Sequence, residues 1–223
     1  MKGIVFDLGG TLMTYTGMPY SWADHYRQGF EAVRESFSPD VSQETFEEAL
    51  RILKSFNPRI NYREVEYSPS FIFSQAFQNW KLEAPVEACI DVFWSGLQLK
   101  AEIYPDVLDC LARLKEGGYR IAALTDLPSA LPDERFQRDI AELLPLFDCY
   151  VSSSIAGFRK PHFRGLTIIS EQLGIPVPEL IFVGDEEKDA QTALNAHCRF
   201  IRIARTQNLP GSIRNLSELS GLL

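Results

Sequence analysis

Paired cysteines, long apolar runs and an excess of positive charge are all missing from this 223-residue chain. The four cysteines, Cys89, Cys110, Cys149 and Cys198, are scattered, with no C-x-x-C among them. That argues against a zinc site and predicts buried, reduced thiols in a cytoplasmic protein. No stretch approaches the ~18 consecutive apolar residues of a membrane span, so no membrane partner is expected. The apolar run after Lys2 is too short for a secretory signal. Twenty-two basic against thirty acidic residues give a net charge of −8 and a pI near 5.0. A whole-chain basic footprint for nucleic acid is therefore absent, and no nucleic-acid partner is expected. Proline (13) and glycine (14) are at ordinary levels, which excludes fibrous and disordered classes. With 45% apolar and 23% charged residues, the chain reads as a soluble, acidic globular protein. Its length suits one large domain or a core domain with an insertion.

Hydrophobic periodicity divides the chain in three. Residues 3–6 form a short apolar run ending at Asp7 and Gly9-Gly10-Thr11, a buried strand followed by a tight turn. From about Ser21 to Leu99 the pattern is helical. Phe46, Ala49, Leu50 and Leu53 recur at helical spacing behind Ser42, a candidate N-cap. Phe73, Ala76, Phe77 and Trp80 repeat that spacing, as do Val86, Cys89, Ile90 and Phe93. After Tyr104-Pro105 helices and strands alternate, with strands predicted at 119–125, 149–152, 180–183 and 199–204. Helices are predicted from Asp106 to Gly117, near 132–144, over 163–173 and from Lys188. Alternation of this kind implies a parallel sheet with right-handed crossovers. The predicted fold is α/β: a doubly wound, Rossmann-like parallel core, residues 1–15 and 101–223, with an inserted helical-bundle cap, residues 16–100.

In open α/β sheets the ligand site lies outside the carboxyl ends of the strands. There this sequence places Asp7, then Thr125-Asp126, then Asp185 and Asp189, with Lys160 in the loop 157–161. Asp commonly terminates strands and caps helices, so any one of these carboxylates alone means little. Together, two or three carboxylates suit a hard divalent cation, above all Mg²⁺. A metal would let a carboxylate approach a phosphate against their mutual repulsion. Asp7 would then be the nucleophile toward phosphorus, with Lys160 and Thr125 on the equatorial oxygens.

These residues, in this order, resemble the motifs of the haloacid dehalogenase-like hydrolases. The first motif, a strand ending Asp-x-Asp-x-Thr, stands here as Ile4-Val5-Phe6-Asp7-Leu8-Gly9-Gly10-Thr11. The second matches Ala122-Ala123-Leu124-Thr125, the third Arg159-Lys160-Pro161, and the fourth Val183-Gly184-Asp185 with Asp189. The resemblance implies a lidded core, Mg²⁺ dependence and, usually, phosphatase activity on a small phosphorylated metabolite. It implies metal ligation by Asp7, Asp185, the Gly9 carbonyl and Asp189.

Three departures accompany the matches. Gly9 replaces the family's second Asp, whose acid–base help is worth ~10²–10⁴-fold, so slow turnover is expected. Asp126 stands where Asn often follows the motif-two Thr. His197 lies where the family usually has Gly. Two readings besides a phosphatase follow from Gly9: a catalytically weak phosphate-binding or regulatory protein, and a C–P or C–halogen hydrolase. Tyr20, His25 and Arg27, at the start of the cap, are candidate substrate residues, with Trp22 and Tyr26 beside them as pocket or packing aromatics. His25 is also a candidate proton carrier. Arg159, beside Lys160, is a candidate contact for a second anionic group and by default a solvated surface residue; His162 is expected at the site mouth or at a helix N-terminus.

Overall fold

The predicted apolar runs become the short strands of one sheet, and each periodic stripe contributes a helix. The computed structural model describes residues 2–17 and 22–223. Its first half holds β1 (Gly3–Phe6), β2 (Met13–Thr16), α1 (Tyr26–Phe37), α2 (Gln43–Ser55), α3 (Pro69–Ala76), α4 (Val86–Gly96) and β3 (Lys100–Ile103). Its second half holds α5 (Val107–Glu116), β4 (Arg120–Thr125), α6 (Asp133–Asp139), β5 (Cys149–Ser152), α7 (Ser153–Ala156), α8 (Arg164–Leu173), β6 (Leu180–Gly184), α9 (Glu187–Ala196) and β7 (Arg199–Arg202).

Five strands form one parallel sheet in the order β5-β4-β1-β6-β7. The chain winds from β1 to β4 and β5 on one side, then returns to β6 and β7 on the other. The strand order therefore reverses between β1 and β6, where such folds place a ligand. Side chains alternate across the sheet. Ile4, Phe6, Ile121, Ala123, Ile181 and Val183 join one core cluster, which also takes in the apolar faces of α1 to α5. Val5, Ala122, Leu124, Leu180 and Phe182 face the other way, onto Leu166 and Ile169 of α8 and Ala193 of α9.

Among α1 to α4, Phe30, Phe73, Phe77 and Phe93 meet mostly edge to face, with ring centroids 4.9–6.3 Å apart. Gly29 allows α1 to lie against the Phe93 ring, since a Cβ there would fall 2.6 Å from it. Ser42 caps α2, accepting the Thr45 amide hydrogen, and Ser68 caps α3 ahead of Pro69 at its first position. The second stripe was expected to be helical through Trp80. The helix instead ends at Ala76, and a turn closed by the Trp80 amide on the Phe77 carbonyl (2.9 Å) carries the indole onto the same cluster.

No local pattern marks the antiparallel pair β2–β3, which joins residues on either side of the helical stretch. Both strands are four residues long and no local turn links them. A second backbone seam lies between the helical stretch and the sheet. Val65 pairs with Phe158, the Glu66 amide donates to the Gly157 carbonyl (3.0 Å), and the Arg159 amide donates to the Glu64 carbonyl (2.6 Å). All four cysteines are buried and free. Among the described residues, no helix is long and apolar enough to cross a membrane.

Candidate active site

β1 runs out at Asp7, whose amide still donates to the Val183 carbonyl of β6 (2.9 Å). The following turn closes when the Leu12 amide donates to the Leu8 carbonyl (2.8 Å). At its centre Gly10 has φ +80, and a Cβ there would sit 2.3 Å from Asp185 Oδ2, so only glycine fits. The Thr11 hydroxyl donates to Asp185 Oδ1 (3.2 Å). β6 ends at Gly184, where a Cβ would lie 2.6 Å from Asp189 Oδ2. Glu186 then caps α9 in a reciprocal capping box with Asp189, whose Oδ2 accepts the Glu186 amide (2.9 Å).

Lys160, at the end of the loop after α7, reaches into this group. Its Nζ lies 2.5 Å from Asp7 Oδ1 and 2.6 Å from Asp189 Oδ1. Asp7, Asp185 and Asp189 each present a carboxylate oxygen, all within 4.8 Å of one another. Burial pushes the Asp7 carboxyl well above its ordinary range, reinforced by Asp189 and Asp185 and opposed by Lys160. Asp185 is pushed up to about 6, by burial first and then by Asp189 and Glu186. Burial alone would lower the Lys160 ammonium, but Asp189, Asp7 and Asp126 outweigh it and raise it well above normal. Three carboxylates thus share one ammonium in a buried place, with two glycines holding the backbone close. That surplus of oxygen and negative charge fits a hard divalent cation.

Two departures in the sequence find their structural reasons here. Asp126 Oδ1 accepts the Lys160 amide (3.0 Å), and Oδ2 faces the Lys188 ammonium at 3.3 Å. Burial would raise this carboxyl, but Lys188, Arg159 and Lys160 hold it below the usual range. Its charge is therefore compensated within the site. His197 ends α9 with φ +57 and ψ 39, the left-handed geometry in which glycine is the easiest residue.

Asp7 and Asp185 open onto a cavity of about 310 Å³, also lined by Gly9, Thr125 and Lys160, with Tyr15, Trp22, Tyr26 and Phe136 on its walls. Of the cap candidates, Trp22 and Tyr26 reach it, whereas Tyr20 lies outside the described residues. Arg27 is not brought to the cavity. Its guanidinium pairs with Glu47 at 2.8 Å on the outer face of α1. His25 precedes α1 and is not among the lining residues; its Nε2 is buried without a hydrogen-bond partner among the described residues. His162 is sandwiched between Phe158 and Phe163, with ring centroids 4.1 and 5.0 Å away. Arg159, expected at the surface, is buried. It pairs with Glu66 and donates to the Leu127 carbonyl (2.7 Å).

Tyr15, Asn57, Arg59 and Lys188 are among the lining residues that the sequence reading did not single out. Lys188 had a usable signal, since it lies one residue before Asp189 on the first turn of a helix aimed at the site. Asn57 and Arg59 sit in an irregular loop with no periodicity to mark them. Arg59 nonetheless reaches Glu186 across the seam.

A family model described as haloacid dehalogenase-like hydrolase matches residues 1–197. A phosphoglycolate phosphatase of Aliivibrio fischeri is 33% identical over 103 residues, 46% of this chain and 44% of that protein. Phosphatase MT3486 of Mycobacterium tuberculosis is 31% identical over 124 residues, 55% of this chain and 57% of that protein. The matched stretches span about half the length of these curated relatives. Among solved structures, a HAD phosphatase from Thermococcus onnurineus superimposes with a TM-score of 0.66 at 20% identity, covering 100% of this chain and 97% of that one.

Proposed function

The chain belongs to the haloacid dehalogenase-like hydrolase family, and on that premise we propose that it is a Mg²⁺-dependent phosphatase acting on a small phosphorylated metabolite. The observation that carries the reading is Asp7, Asp185 and Asp189 converging with Lys160 at the strand-order reversal. Asp7, Asp185, Asp189 and the Gly9 carbonyl would hold Mg²⁺, which when bound offsets the repulsion between the Asp7 carboxylate and an incoming phosphate. Asp7 attacks phosphorus, the P–O bond to the leaving alcohol breaks, and an aspartyl-phosphate forms. Lys160 and Thr125 hold the phosphoryl oxygens as charge shifts between them. Water then cleaves the aspartyl-phosphate, releasing phosphate and restoring Asp7. In this reading the cap, residues 16–100, is a lid over a core made of residues 1–15 and 101–223. The relatives bearing the name phosphoglycolate phosphatase support a small phosphomonoester as substrate.

Gly9 favours a second reading, a catalytically feeble phosphate-binding member of the same family. A Cβ at Gly9 would meet no atom within 4 Å, so a side chain can leave the backbone there without a clash. The test is Mg²⁺-dependent hydrolysis of an aryl phosphate and of phosphoglycolate by wild type, Asp7→Asn and Gly9→Asp. Loss of activity in Asp7→Asn supports the phosphatase, and an undiminished rate overturns the nucleophile assignment. A silent wild type that gains turnover in Gly9→Asp supports the second reading.

A further inference from the structure

Arg205 lies beyond the span that matches the family, in the loop after β7, yet it reaches back to the first turn of the site. Its side chain is 11% exposed. Nε and Nη2 both donate to the Thr11 carbonyl, at 2.8 and 2.7 Å. Nη1 lies 3.1 Å from Asp106, and the guanidinium stacks 4.0 Å from the Tyr104 ring centroid. Asp106 is fixed in turn by the Leu216 amide, which donates to its Oδ2 (2.7 Å). The backbone beside Arg205 is tied down as well, because the Ala204 amide donates to the Ile213 carbonyl (2.8 Å). A planar, always-charged fork held on three sides is suited to fixing one carbonyl, which a flexible ammonium is not. The residue it fixes is fully buried Thr11, whose hydroxyl donates to Asp185.

We propose that Arg205 is a positioning residue: by holding the Thr11 carbonyl it orients the Thr11 hydroxyl, and through it the Asp185 carboxylate, for cation binding. The inference rests on the reading of Asp185 as a metal ligand. Partners one shell out from a metal ligand typically change metal affinity or activity about 10- to 100-fold when removed. The phosphate contacts of Lys160 and Thr125 lie on other elements, so substrate KM at saturating Mg²⁺ stays near the wild-type value.

The experiment measures the Mg²⁺ dissociation constant by titration calorimetry for wild type, Arg205→Gln and Arg205→Lys. Arg199→Gln, an arginine of β7 that donates to the Leu222 carbonyl, serves as the control. The expected result is Mg²⁺ binding weakened about 10-fold or more in Arg205→Gln, partial rescue in Arg205→Lys, and no change in the control. In a Thr11→Val background, Arg205→Gln weakens Mg²⁺ binding no further, because the hydroxyl that carries the coupling is gone. An unchanged Mg²⁺ affinity with a lowered Tm makes Arg205 a purely structural residue and overturns the proposal. Should Arg205→Gln fail to fold, Asp106→Asn loosens the same guanidinium; a smaller loss of Mg²⁺ affinity supports the proposal and none overturns it. A wild type that binds no Mg²⁺ refutes the metal-site reading itself, and the inference with it.

Discussion

His197 holds a backbone conformation that strains any side chain with a Cβ. With φ +57 it turns the chain out of α9 so that the Cys198 amide can donate to the Ala193 carbonyl (2.8 Å). Glycine adopts this geometry without the steric penalty, although it gives up more unfolded-state freedom. His197→Gly is expected to raise stability by about 0.5–1 kcal/mol, read as a higher urea midpoint at unchanged slope. The residue stands eight positions beyond Asp189 (197 − 189) and touches none of the site chemistry, so hydrolysis stays as in wild type. Gly10 is the opposite case. Its φ of +80 and the 2.3 Å approach to Asp185 were implicit in Gly9-Gly10, but sequence alone does not say which carboxylate crowds it.

At the level of elements, local signals were legible wherever one residue's own chemistry decides. The Ser42 cap is of this kind, as is the end of α8 at Leu173, where Gly174 takes left-handed geometry. So are the strands of the parallel sheet, because continuous apolar runs leave few alternatives for burial. The β2–β3 pair was illegible because its register depends on two segments brought together only by the intervening helices. Asp106, read only as the start of α5, is another product of tertiary structure. Burial alone would raise its carboxyl, but the Leu216 amide and Arg205 outweigh burial and hold it below the usual range. A lowered folded-state pKa means its stabilisation is complete above the unfolded value, about 3.9. That stabilisation fades as pH falls through the lower folded value. Asp106→Asn should therefore cost about 1–2 kcal/mol near neutral pH, with the gap from wild type closing as pH drops below about 4. Urea titrations at several pH values check both the sign and the window.

Across the whole molecule, Glu66 ties the helical stretch to the sheet. Its carboxylate accepts from the Ser153 hydroxyl (2.6 Å), the Tyr67 amide (3.0 Å), Arg63 (2.9 Å) and Arg159. Arg159 sits one residue before Lys160, so this cluster also borders the proposed phosphate site. Nothing in the sequence distinguishes Glu66 from the acidic residues around it. Its role exists only once residues 64–66 lie against 157–159, which is also why Arg159 read as a surface residue. Both arginines and the carboxylate are largely desolvated, with side-chain exposures of 12%, 4% and 8%. Removing one partner of a buried ion pair leaves the other charge uncompensated, at a typical cost of 3–5 kcal/mol. The Leu127 carbonyl still accepts from Arg159, and the Phe56 carbonyl from Arg63 (3.0 Å). These residual bonds place Glu66→Ala at the low end, about 3 kcal/mol. Glu66→Gln retains acceptor capacity while losing the charge and should fall between wild type and Ala. A cycle combining Glu66→Ala with Arg159→Met is the decisive measurement. The double variant should be less destabilised than the two single variants added together, because it leaves one fewer buried charge without a partner. Additive losses would mean that the two side chains contribute independently and that their ion pair does not couple the helical stretch to the loop before Lys160.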